Sequence, residues 1–117
     1  MRSHDPLVAL HDVLKAGLLI ERFLKDLSFA EYQTDSLIRS AVERQFEVVG
    51  EALKRALKAD PGLVASLPDA PAIIGFRNVL AHGYDEVVDG LVFKTARESL
   101  PGLLERVRGL LDAEPLP

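Results

Sequence analysis

Between Thr34-Asp35 and Asp60-Pro61-Gly62 runs a stretch whose apolar residues recur at helical spacing, and no other feature constrains the fold so narrowly. Leu37, Ile38, Ala41, Val42, Phe46, Val49, Ala52, Leu53, Ala56 and Leu57 fall on one broad face of a helix from about Ser36 to Ala59. Glu43, Arg44, Glu47, Glu51, Lys54 and Arg55 line the other face, where Glu51 and Arg55 are an opposite-charge pair four residues apart. Thr34 or Asp35 offers an oxygen to cap the first turn. Pro and Gly at 61 and 62 stop the last one. A mid-helix glycine costs about 1 kcal/mol relative to alanine, so Gly50 predicts close approach by another helix.

The remaining segments follow the same period. Asp5-Pro6 is a helix start, with Asp as cap and Pro at the first helical position. Leu7, Leu10, Leu14 and Leu18, then Phe23, Leu24 and Leu27, predict one long helix ending near Ser28. His11 shares the Leu7/Leu14/Leu18 stripe and is expected to be packed; His4 precedes the helix as a solvated group. Ser28 caps a short turn through Gln33. Leu63 to Leu67 make a loose turn, and Asp69 caps a helix from about Pro71 to His82. Tyr84, Asp85 and Glu86 are expected in a turn, Asp89-Gly90 in another. A last helical segment runs from about Leu91 to Leu111; Pro101 must kink or restart it, with Ser99 as a cap. No strand alternation, repeat or linker interrupts this order. The expectation is one all-α domain over residues 1–117, an antiparallel up-and-down bundle of four main helices.

Composition closes off several functions. There is no cysteine, hence no disulfide, thiolate metal site or thiol nucleophile. No glycine-rich phosphate loop and no His/Cys/Glu set at metal-ligand spacing occurs, so neither a cofactor nor a metal is expected. Asp12, Lys15, Glu21 and Arg22 break the first apolar segment, which argues against a signal peptide or membrane span, and the lack of cysteine suits a cytoplasmic protein. A net charge of -4 opposes a general nucleic-acid coat, and DNA is not an expected partner. It leaves room for an RNA-cutting enzyme with a locally positive cleft.

One short run concentrates chemistry: Arg77-Asn78-Val79-Leu80-Ala81-His82-Gly83-Tyr84. On a helix with about 100° per residue, Ile73, Phe76 and Leu80 form the core stripe, with Val79 at its border. Gly75, Asn78 and His82 form a second stripe roughly opposite. Arg77 lies about 140° from His82, too far for a simple contact on one helix. A long Arg can lean round, or it can act with a histidine from a second copy. For an arbitrary Arg and His five apart, a solvated polar face would be the default reading. Glu51 is either an acceptor that orients Arg77 or His82, or a solvated acid paired with Arg55.

This run resembles the Arg-Asn-x-x-x-His-x-Tyr signature of HEPN-domain proteins of the HepT-like toxin type. The segment Ala41-Val42-Glu43-Arg44-Gln45-Phe46-Glu47-Val48-Val49-Gly50-Glu51-Ala52-Leu53-Lys54-Arg55 and Leu100-Pro101 extend the similarity through nearly the whole chain. The resemblance implies a dimeric, metal-independent endoribonuclease whose Arg and His line a cleft between protomers. Carried onto this sequence, Arg77 and His82 are the catalytic pair and Asn78 is the polar position after the Arg. Tyr84 matches the tyrosine that a partner nucleotidyltransferase antitoxin modifies with AMP. The pair would form a type VII-like toxin–antitoxin system.

The residues suit that chemistry. Cutting RNA without a metal needs a base at the ribose 2'-OH, a donor set for the charge at phosphorus, and an acid at the departing 5'-oxygen. Histidine serves the proton steps near neutral pH, and the planar Arg fork matches phosphate oxygens. Only His82 is a credible catalytic histidine in each chain. A twofold dimer joining the Gly75/Asn78/His82 stripes would supply a second, together with another Arg77. The competing reading is a non-catalytic helical subunit, in which the motif forms a nucleotide pocket or a surface for a nucleotidyltransferase. The RNA target, the cleavage position and the extent of tyrosine modification are not written in the sequence.

Overall fold

The Asp5 carboxylate accepts from the Leu7 amide at 2.8 Å and starts α1 (Pro6–Leu24), as the Asp-Pro pair requires. Described here, from a computed structural model, are residues 5–82 and 85–113, with side-chain surroundings for all of these except 77, 78, 81, 82 and 85–87. Ser28 and Glu31 then form a reciprocal capping box around α2 (Phe29–Thr34). Asp35 caps α3 (Ser36–Ala59) by accepting from Ile38 N at 3.0 Å. The helix ends at Asp60, whose side chain accepts from Gly62 N and opens a 3-10 turn, Pro61–Ala65. The Asp69 carbonyl accepts from Ile73 N and leads into α4 (Ala70–His82). The chain closes with α5 (Asp85–Glu98) and α6 (Leu100–Ala113). No strand occurs among the described residues, and the fold is all-helical.

α3 is the spine. Val42, Phe46, Val49, Ala52, Leu53 and Ala56 are buried along it, as the sequence periodicity requires, and Gly50 is buried with them. Each large side chain removed from water contributes roughly 1.5–3 kcal/mol, offset by ordering entropy. α1 packs along one side of α3 and α4 along another, while α6 lies against α1 and α5. Arg55 of α3 pairs with Asp12 of α1 at 3.0 Å across the first seam.

Several sequence expectations shift. The buried face of α1 is Ala9, Leu10, Val13, Ala16, Gly17, Ile20 and Leu24, not the Leu7/Leu14/Leu18 stripe. His11 is therefore exposed rather than packed, and Leu18 is 41% exposed. Both faces of α1 carry leucines, so spacing alone could not choose between them. α1 also stops at Leu24, four residues before Ser28, where Lys25 turns the chain with a φ of 39°. Asp85, Glu86, Asp89 and Gly90 are helical, not turns: α5 starts at Asp85, ahead of the expected Leu91. Its phase explains the change, since Val88, Val92 and Ala96 are buried one turn apart. The helix breaks at Ser99, whose carbonyl accepts from Leu103 N as α6 begins; Pro101 falls in the first turn of α6, where no N–H is needed.

Close helix approach is found at Gly17. A Cβ there would lie 2.4 Å from Leu104 Cδ2, so the bare backbone lets the Leu104 side chain of α6 seat directly on α1.

Candidate active site

Ile73 and Phe76 anchor α4 in the core, with Val79 and Leu80 half-buried beside them. The Phe76 ring meets Phe46 of α3 edge to face, centroids 5.2 Å apart. Helix then continues to His82, so the backbone carries residues 77, 78 and 82 on the helical wheel read from the sequence. The Arg77, Asn78 and His82 side chains lie outside the described residues, as do Gly83 and Tyr84 altogether.

α3 and α4 run in opposite directions. Phe46 faces Phe76, while Arg39, further back on α3, lies 3.9 Å from Asp89, just beyond α4. At about 1.5 Å per residue, His82 therefore comes level with the first turns of α3, near residue 40. The same register sets Glu51 roughly 9 Å along the bundle from Arg77 and roughly 16 Å from His82. Glu51 is exposed on α3, and Arg55, one turn on, pairs with Asp12 of α1.

Gly75 is exposed, and a Cβ added to it would meet nothing within 4 Å. Packing within the protomer thus gives no reason for the glycine. It borders a cleft of about 190 Å³, whose walls are Phe76 and Val79 of α4 and Leu91 and Thr95 of α5. The walls are mostly apolar, and α4 and α5 touch little along it.

A polar cluster missing from the sequence reading sits at the level of His82. Asp89 of α5 is 6% exposed. Arg39 stands beside it and also donates to the Gln33 carbonyl at the end of α2. Tyr32 of α2 is fully buried, and its hydroxyl has no hydrogen-bond partner among the described residues. Burial pushes the Tyr32 phenol well above its usual range; the Glu43 and Asp89 charges push the same way, against Arg39. The helical phase of Val88, Val92 and Ala96 was the available signal that Asp89 faces inward.

The model of the family described as "Ribonuclease HepT-like" matches residues 13–110. A Methanocaldococcus jannaschii protein named provisionally as an RNase, MJ1380, is 30% identical over 92% of this chain and 97% of its own length. "Probable ribonuclease HepT" of Thermococcus cleftensis is 31% identical over 87% of this chain and 90% of its own. A provisional RNase of Caldanaerobacter subterraneus, TTE0752, is 30% identical over 89% and 91%. No solved structure matches the chain significantly. The chain belongs to the HepT-like ribonuclease family.

Proposed function

We propose that the protein is a metal-independent endoribonuclease toxin acting as a homodimer, with Arg77, Asn78 and His82 as its catalytic residues. The observation that carries this is family membership across residues 13–110, a span that includes the whole Arg77–Tyr84 run. An imidazole takes the proton from the ribose 2'-oxygen, which attacks the adjacent phosphorus. The bond to the 5'-oxygen breaks, and a second imidazole protonates that oxygen. Each Arg77 guanidinium holds the non-bridging oxygens as charge accumulates on them. Asn78 orients a phosphate oxygen or the imidazole. The exposed, bare backbone at Gly75 supports close approach by the second protomer at this face. Glu51, nearer along the bundle to Arg77, acts as an acceptor that orients it.

Neutralisation follows from Tyr84. AMP joined to its phenol by a nucleotidyltransferase antitoxin adds bulk and negative charge beside the site, repelling RNA phosphates. The test is purified protein on total RNA in chelator, beside Arg77→Ala and His82→Ala variants. Cleavage by the native chain alone supports the reading. Equal cleavage by all three places the activity elsewhere. Binding of a nucleotidyltransferase with no cleavage favours the non-catalytic subunit.

A further inference from the structure

The motif closes α4, and the helix that follows it, α5, is held by a different part of the fold. α4 is seated on α3 through Ile73 and Phe76. α5 is held by α2 and α6 instead. Phe93 packs its ring on Phe29 and Tyr32, at 5.5 and 5.6 Å between centroids. Arg97 lies over the Phe93 ring and donates to the Leu27 carbonyl at 2.8 Å. All these contacts lie in the second half of α5. Near its first half, the ion pair between Asp89 and Arg39 connects α5 back to α3, the helix on which α4 rests.

A buried carboxylate is a poor choice for stability. Desolvating it costs several kcal/mol, and an apolar residue of similar size is often as good or better for the fold. What Asp89 does supply is direction. The Arg39 guanidinium donates to the Gln33 carbonyl at the end of α2 and lies 3.9 Å from the Asp89 carboxylate, so their attraction favours one place for the first turns of α5 relative to α3.

We propose that Asp89, through Arg39, is a positioning residue for the Arg77–Tyr84 site, setting the start of α5 against the end of α4. This rests on the reading of that run as the active site. Arg39 locks the front of α5 to the helix that carries α4. The end of α4 at His82 and the start of α5 at Asp85 are then both referred to α3.

The test uses the full chain with Asp89→Asn, Arg39→Gln, the double variant, and Asp12→Asn, which breaks the Arg55 pair elsewhere on α3. Two quantities are read: amide hydrogen exchange along the chain, and kcat and KM for RNA cleavage. Asp89→Asn and Arg39→Gln should each speed exchange over residues 80–86 about tenfold while the α1 and α3 cores keep their rates. They should lower kcat about tenfold to a hundredfold with little change in KM, the double variant being no worse than either single one. Asp12→Asn should do neither. Exchange over 80–86 that stays native-like, or that rises equally in every helix, overturns the proposal. The exchange arm decides even if His82→Ala cleaves like the native chain, a result that would instead remove the catalytic reading.

Discussion

The Phe76 ring stands at 85° to the Phe46 ring with centroids 5.2 Å apart, and this pair seats the motif helix on the spine of the bundle. Phe46 is 1% exposed and Phe76 5%, so neither ring can move without opening the core. Phe46→Ala should cost about 3–5 kcal/mol, from lost transfer energy plus the cavity left behind. Urea unfolding reads this directly. A loss below about 1 kcal/mol would mean that α4 is held chiefly by something else.

Two helical glycines should respond to alanine with opposite signs. At Gly75 the new methyl meets nothing, and helix propensity alone predicts a gain of about 1 kcal/mol in the isolated protomer. At Gly17 it would collide with Leu104, itself buried, so a loss of about 1–3 kcal/mol is expected. Thermal unfolding of both variants checks the pair. Reduced cleavage in a better-folded Gly75→Ala protein would show that a second surface uses that face.

Tyr32→Phe should leave stability unchanged or raise it by about 1 kcal/mol. The hydroxyl is fully buried and unpaired among the described residues, so its removal loses no hydrogen bond and ends a desolvation cost. The ring contact with Phe93 survives the change. A marked fall in the urea midpoint would reveal a bound water or other partner at the oxygen.

The capping box of α2 makes its first turn acid-sensitive. Hydrogen bonds from the Ser28 backbone and side chain hold the Glu31 carboxyl below its ordinary pKa. A carboxylate depressed in the folded state contributes stability that is fully present above its unfolded pKa. That contribution is lost as pH falls through the folded value. An NMR titration should therefore give Glu31 a lower midpoint in the native chain than in Ser28→Ala. Equal midpoints would show that the box does not persist in solution.

How much was legible depended on whether a local signal was unique. α3 could be read to both ends because Asp35 and Asp60 are caps with their own hydrogen bonds, and the apolar stripe between them has one phase. α4 was legible for the same reason: Ile73 and Phe76 leave only one inward face. α1 was misjudged because leucines occupy both of its sides, and only α3 and α6 decide which is covered. The start of α5 was missed because Asp85-Glu86 and Asp89-Gly90 are turn-like in composition, while burial of Val88 and Val92 overrides that preference. The motif residues were visible by type and spacing. The Arg39–Asp89 pair was not, because its members are fifty residues apart and join only through the tertiary fold.

The seating of Leu104 on Gly17 also bears on how the molecule is made. α1 is made well before α6, whose Leu104 side chain fills the notch in the α1 backbone. Until α6 has emerged, Gly17 lacks its covering, and synthesis interrupted around Ser99 yields a chain whose first helix is still partly wet. Completion of the α1–α6 seam is thereby deferred until α6 has been made.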